Sequence, residues 1–580
     1  MAKSVGPVDP GKQLPKDPNV RLERTDRTDF VEGPNRGLAF QDGREDKPVT
    51  LNDGGPGAIR STGIRVPGPM AGVEGHYFHP QRTVGEGGII NSPLAPPWPS
   101  DTAGIERLLR EDYPLVSGLP DAADKVQRAA MDKVAQDPRA FAKKLALRLR
   151  NEQQIRTIER NQKIQDGFDH LLAGPDAGSV PGRAAALVSM IRTGLPKELP
   201  ADATPEYQAT FEWLTQGEGA ERDRKIFDGL RKQFRAGEAK VFGEALQGGL
   251  AEGRSLPAAV QGALDRIPVP VTVEVDGLKP AMSGDFAFGP RQKSWKGNAL
   301  DAIDGTKLGA ALFNTALHPA ATLLSALVFE EVVNDAMSNP SAYGFEQMDR
   351  FGVAMMAGGV AAGKGFTAKN VHLPVQFIYD ADGESNTTAF DGVRHIAQGA
   401  AEQAGREVDV KMVGVHTDPV AAYLRALFRS MHPDPSIGEG RMPGEVAIVS
   451  SHTDGVRNMR SMAQRMAEEG TGEPLILTNT THPPKTIEPS ELAEHDWTFE
   501  SLRQTIFDIT DHIREHSALP QTVKDRFPPD SFMGQQIVPV IEQVLADPKS
   551  EPMRNLVMAR LQEDRHALEN FYRHQPRGLG

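Results

Sequence analysis

A lysine behind a run of small residues, Gly358-Gly359-Val360-Ala361-Ala362-Gly363-Lys364, has the clearest chemistry in this sequence. Small side chains let successive backbone N–H groups converge on phosphate oxygens; a following helix N-terminus adds partial positive charge and the lysine a full one. The pattern fits a phosphate-cradling P-loop, which needs a strand before it and a helix after it. The apolar run from Val353 to Ala357 reads as that strand. After the lysine, where Ser or Thr ordinarily offers a hydroxyl to Mg²⁺, stands Gly365, so the metal would be held by Thr367 or by a carboxylate. Gly358, Gly359, Gly363, Lys364, Gly365 and Thr367 are the expected nucleotide contacts. The competing reading is a close-packed strand-to-helix turn that binds nothing.

Two further groups fit phosphoryl transfer. The run Phe377-Ile378-Tyr379-Asp380-Ala381-Asp382-Gly383 is a strand ending in carboxylates. One carboxylate can hold Mg²⁺ or its water, and another can accept the proton of the acceptor hydroxyl. Asp380 and Asp382 are the candidates, with Asp380 the expected metal ligand; the alternative is an Asx-type turn. Farther on, Arg425 and Arg429 stand four apart, hence on one helix face, and Arg441 follows on a loop. Guanidinium forks so placed suit a phosphate clamp.

The loop, Asp380 after its strand, Val413 through His416, Asp418-Pro419, Tyr423, Arg429, Gly440-Arg441, Pro443 and His452 together resemble the zeta-toxin family of P-loop kinases over about residues 350–485. The resemblance implies ATP- or GTP-dependent, Mg²⁺-assisted phosphorylation of a small hydroxylated metabolite, such as a nucleotide-sugar or a dinucleotide, by a toxin or effector. An antitoxin-like or assembly protein would be its partner. Arg429 and Arg441 would occupy the family's phosphate-contacting positions, with Arg425 an additional contact. That family carries its catalytic aspartate on a strand, followed by a helical insert, between the loop and the next strand. Here 15 residues separate Lys364 from Asp380. Asp380 and Asp382 therefore match either that strand or the later acidic one, and in the second case the proton acceptor is unassigned. The alternative function is a catalytically silent P-loop scaffold in a binding or structural assembly protein.

Two other patterns carry chemistry in principle. His512-Ile513-Arg514-Glu515-His516 matches the inverted zinc-protease pattern, but its histidines flank the apolar stripe Leu502, Ile506, Ile509 and Ile513 as boundary residues would. Ser450-Ser451-His452-Thr453-Asp454 has the residue types of a hydrolase triad, yet neighbours in sequence do not readily converge on one atom, and no nucleophile elbow surrounds them.

Apolar spacing assigns the elements that must position these groups. Residues 1–100 are rich in Gly, Pro and charge and read as an extended arm with Tyr77, Phe78 and Trp98 as anchors. Residues 101–265 have helical spacing and read as a bundle. Residues 266–340 hold a connecting β element, Val271–Val275, and an apolar stretch, Leu308–Phe329, expected to form a helical hairpin with Pro319 near the start of its second helix. Residues 341–525 alternate short strands with helices, the signature of a parallel α/β sheet. Residues 526–580 read as two further helices, with Ile537, Val540, Ile541 and Val544 on one stripe and Leu556, Leu561 and Leu568 on another. The expected fold class is α/β: a P-loop kinase-like parallel sheet with flanking helices, preceded by a mainly helical module and an extended arm.

Composition narrows the classes. The 580-residue chain is long enough for several cores, and its net charge of −13 disfavours a broad nucleic-acid surface. Absence of cysteine removes disulfides, thiolate zinc sites and cysteine nucleophiles. The first residues lack the apolar core of a Sec signal, so the expectation is a cytoplasmic protein or one delivered into a target cell by another route. Leu308–Phe329 is interrupted by Asn314, His318 and Pro319, and no membrane span is expected.

Overall fold

The computed structural model describes residues 101–562 and Arg565, apart from 112–120, 174–178, 284–307, 381–386, 433–444, 471–473, 480–483, 493–496 and the single positions 217, 347, 349, 556 and 560. The expected arm, Asp382, Arg441, Gly440 and Pro443, as well as Leu556 and Leu568, lie outside the described residues. The described residues form a mixed α/β structure, about 70% helix, with a six-stranded, mostly parallel sheet.

Among the described residues eight helices come first: α1 (Thr102–Glu111), α2 (Asp121–Gln136), α3 (Pro138–Leu172), α4 (Val180–Thr193), α5 (Pro205–Gln216), α6 (Ala220–Arg231), α7 (Glu238–Ala251) and α8 (Leu256–Leu264). The 35-residue α3 starts where Pro138 is tolerated, with the Asp137 carboxylate accepting from the Ala140 amide. Its first turns bury Ala142, Leu145 and Ala146 in the core that backs the sheet. Its last turns bury Ile164, Phe168 and Leu171 in a separate core with α4 to α8. The charged stretch between them bridges the two cores. There the buried Gln153 amide donates to the carbonyls of Val269, at 2.9 Å, and Tyr343, at 3.1 Å.

The sheet is built from β1 (Val271–Glu274), β2 (Arg350–Ala357), β3 (Phe377–Asp380), β4 (Glu407–His416), β5 (Leu475–Thr478) and β6 (Lys485–Thr486). Its order is β1-β3-β2-β4-β5-β6, with only β6 antiparallel. Alternate side chains of β2 face opposite ways, as the period of two requires. Val353, Met355 and Ala357 join one core, and Ala354 and Met356 the other. Both faces are therefore covered, which is why these strands read as unbroken apolar runs.

One face is backed by α9 (Val275–Ser283), α10 (Leu308–Ser338) and α12 (Thr387–Ala404). The stretch expected to be a hairpin is instead one continuous 31-residue helix, α10, running through Pro319. A proline inside a helix forfeits a hydrogen bond. Here that loss is outweighed by burial on every side of the following turns, including Leu323, Leu324, Leu327, Val328 and Phe329. The Ser325 hydroxyl lies 2.8 Å from Tyr379 Oη on β3, which ties α10 to the sheet. No helix among the described residues is long and apolar enough to cross a membrane.

The other face carries α11 (Lys364–Asn370), whose Ala368 packs with Ala354 and Met356, whereas α14 (Glu445–Glu469) sends Val456, Met459, Met462 and Met466 into the core of the first face, and α13 (Pro419–Met431) follows β4. Beyond them α15 (Phe499–His516), α16 (Gln521–Arg526), α17 (Phe532–Gln536) and α18 (Val538–Ala546) form a further core with α13. Ile541 and Val544 of the expected stripe are buried there, whereas Val540 is exposed.

Candidate functional site

Parallel pairing brings five chain segments to one edge of the sheet: Glu274 ends β1, Asp380 ends β3, the glycine loop follows β2, His416 ends β4 with Thr417 after it, and Asn479 follows β5. In open parallel sheets this carboxyl edge is where ligands bind. The predicted order of strand, loop and helix is present, with β2 ending at Ala357 and α11 starting at Lys364.

The loop requires its small residues. Gly358 has φ +148°, and a Cβ there would meet the Val415 carbonyl oxygen at 2.5 Å. Gly363 has φ +89°, and a Cβ there would stand 2.0 Å from Asn479 Nδ2. Ala361 also adopts a left-handed conformation, at φ 59°, which costs a residue bearing a Cβ about 1 kcal/mol or more. A Cβ on Gly359 would meet the His452 ring at 2.7 Å.

Side chains from three other elements hold the loop. Ser451 Oγ accepts from the Val360 amide at 2.9 Å, and His452 Nε2 donates to the Val360 carbonyl at 2.8 Å. The Thr417 hydroxyl and the Asn479 amide donate to the Ala362 carbonyl at 2.8 and 2.9 Å. Burial pushes the His452 imidazole down to about 4, against a smaller opposing effect of its bond to Val360. It is therefore neutral at pH 7 and a steady donor. Ser451 and His452 hold the loop as neighbours on one helix, so neither is arranged as a nucleophile and its base.

Lys364 is buried, and its Nζ donates to the Gly358 carbonyl at 3.3 Å. Among the described residues no carboxylate forms an ion pair with it. The first-turn amides of α11 precede the first intrahelical bond, which runs from the Thr367 amide to the Gly363 carbonyl. Thr367 Oγ1 is buried without a hydrogen-bond partner among the described residues.

Gly365 faces the acidic side of the edge. A Cβ on it would lie 3.7 Å from Glu274 Oε1 and 3.8 Å from Asp380 Oδ2, ordinary contact distances. Asp380 is buried and Glu274 half-buried. Mg²⁺ is commonly held by one or two carboxylates, with phosphate and water oxygens completing its shell. Asp380 fits that donor set; the expected Ser or Thr hydroxyl does not exist at Gly365.

The arginines lie on the opposite side. Asp418 caps α13, accepting from the Val420 and Ala421 amides at 2.9 and 3.1 Å. This aims the helix so that Arg425 Nη2 donates to the Asn479 carbonyl at 2.7 Å. Burial, then the like charge of Arg429, lowers the Arg425 guanidinium to about 10, leaving it charged at neutral pH. Arg429 is half-buried one turn later. Arg425 thus meets the loop through Asn479 rather than directly.

The structure brings together Gly358, Gly359, Gly363, Lys364, Gly365 and Asp380, and links Arg425 to them. Glu274 and Asn479 also belong to this edge although their local sequence did not mark them. The visible signals were a carboxylate ending the alternating run Val271-Thr272-Val273 and an amide directly after Leu475–Thr478. The histidines of the zinc-protease pattern, His512 and His516, have ring centroids 4.5 Å apart. No group of three or more metal-ligating side chains occurs among the described residues. No protein-family model, curated protein or solved structure matches this chain.

Proposed function

We propose that this sheet edge binds the phosphates of a nucleoside triphosphate, ATP or GTP, and transfers the terminal phosphoryl group to a small hydroxylated metabolite. The observation that carries the reading is Lys364: a buried ammonium held inside a loop of left-handed residues, with a carbonyl rather than a carboxylate as its partner among the described residues. An uncompensated buried cation is costly and is relieved by an anion. The loop amides and Lys364 would hold the β- and γ-phosphates. Asp380 would hold Mg²⁺, which neutralises phosphate charge when bound. Arg425 and Arg429 would supply the remaining charge of the site. A nucleotide-sugar or dinucleotide acceptor, and a toxin or effector role, follow from the resemblance to zeta toxins in motif order.

A second reading has its own support. Val360 and Ala362 already spend their polar groups on Ser451, His452, Thr417 and Asn479, as a closed packing turn would. In that case the fold is a scaffold for assembly. Calorimetry of the full chain with ATP or GTP and Mg²⁺ separates the two: saturable binding that Lys364→Ala weakens supports the transferase, and no binding at millimolar nucleotide supports the scaffold.

A further inference from the structure

Phosphoryl transfer to an alcohol needs the hydroxyl held in line with the terminal phosphorus and a group to take its proton. Asp380 ends β3, the immediate neighbour of the loop-bearing strand β2, and is the more buried carboxylate at this edge. That placement suits a charge held against the nucleotide. The segment between the loop and β3 contains no other strand. The vacant place beyond β3 is instead taken by β1, which the chain makes before the loop.

Val271–Glu274 runs parallel to Phe377–Asp380, residue for residue, so Glu274 stands opposite Asp380. Neighbouring strands lie about 4.8 Å apart, which sets Glu274 one strand farther from the loop than Asp380. It is the last residue of β1, since α9 begins at Val275, so it sits at the carboxyl edge itself. Its Oε1 approaches Gly365 as closely as Asp380 Oδ2 does, at 3.7 against 3.8 Å from a Cβ there. With any larger residue at 365, a side chain would begin between these carboxylates and the start of α11. Lys364, the preceding residue, supplies the independent sign of an anionic ligand: its buried charge has no carboxylate partner among the described residues.

We propose that Glu274 is the catalytic residue that takes the proton of the acceptor hydroxyl, so that a strand made before the loop completes the site. This rests on the nucleotide-binding reading above. The acceptor oxygen forms a bond to the γ-phosphorus as the bond from that phosphorus to the β–γ bridging oxygen breaks. The electron pair leaves with the nucleoside diphosphate. The hydroxyl proton passes to the Glu274 carboxylate and then to water.

The test compares the full chain with Glu274→Gln and Glu274→Asp. Calorimetry measures Mg²⁺–ATP binding, thermal melting monitors folding, and transfer of label from γ-³²P-ATP is followed to UDP-N-acetylglucosamine, NAD, deproteinised cell extract and water. The expected result is ATP affinity within about threefold of the parent, transfer lowered at least about 100-fold in Glu274→Gln, and partial recovery in Glu274→Asp. A merely structural Glu274, capping α9, would lower melting temperature and binding together and leave the transfer rate of bound nucleotide unchanged; that overturns the proposal. Equal transfer by Glu274→Gln, or a parent that binds ATP and labels none of these acceptors, overturns it too. A parent that binds no nucleotide instead sinks the reading beneath it.

Discussion

Lys364 Nζ reaches back 3.3 Å to the carbonyl oxygen of Gly358, closing the loop on itself across its own first residue. The bond places a full positive charge at the centre of a ring of main-chain groups. Among the described residues no carboxylate neutralises the ammonium it holds. A charge-assisted contact of this kind contributes about 1.5–3 kcal/mol to anion binding. Lys364→Ala should therefore weaken ATP binding by about 10- to 100-fold, with melting temperature little changed. Arg429→Ala, at a half-buried helix position, should lower phosphoryl transfer about 100-fold or more at saturating ATP and affect folding less. Calorimetry and label transfer check both.

Two glycines two residues apart should answer oppositely to the same substitution. Gly363→Ala forces a Cβ into a left-handed backbone and to within 2.0 Å of the Asn479 amide. It should cost about 1–3 kcal/mol and lower the melting temperature by several degrees. Gly365→Ala meets only the two carboxylates at 3.7 and 3.8 Å and lies in the first turn of a helix. It should be neutral or stabilising by up to about 1 kcal/mol. Thermal melts of the pair decide whether the loop has the described conformation.

His452 gives the loop a pH signature. Its folded value of about 4 lies below the ordinary 6.5, so the unfolded chain binds more protons between those values. Stability is fully present above pH 6.5 and falls as pH drops toward 4, by roughly 3 kcal/mol for this group alone. His452→Gln keeps a donor for Val360 and removes the titration. The difference in unfolding free energy between parent and variant should shrink with acidification, as read from denaturant titrations at several pH values.

Glu238 fastens the helical module to the segment after α11. Its side chain is fully buried, 2.7 Å from Arg235 Nε, 3.4 Å from Arg160 Nη1 and 3.6 Å from His372 Nδ1. Burial pushes its carboxyl up, but His372, Arg235 and Arg160 together hold it down to about 2. Its contribution is therefore present above about pH 4.5 and lost as pH falls toward 2. Glu238→Gln leaves Arg160 and Arg235 buried without a countercharge and should cost about 3–5 kcal/mol. Backbone bonds from the Ala236 amide to the Asn370 carbonyl and from the His372 amide to the Ala236 carbonyl cross the same junction. Hydrogen exchange at 370–372 should rise in the variant.

Much of the sheet was legible because burial on both faces leaves an unbroken apolar run, and Val353–Ala357 and Phe377–Tyr379 both fall within observed strands. The loop was legible because only small residues fit its approach to Val415 and Asn479. Pro319 misled because local backbone cost is visible in sequence whereas the packing that outweighs it is not. The place of β1 was hidden for a related reason. Val271–Val275 alternates like a strand, but nothing local states which strand it pairs with, and its partner lies more than 100 residues later. Asn479 is found only when β5 is laid beside β4.

The sheet's threading has a practical corollary. A fragment beginning after β1 would strip the outer rung from β3 and bare the backbone groups of β3 that pair with β1 to any passing chain. It would also tear the wall of apolar side chains that α3 and α10 share with the sheet. The smallest piece worth expressing therefore starts upstream of the helices, and clumping by a shorter one would reflect the cut rather than the chemistry.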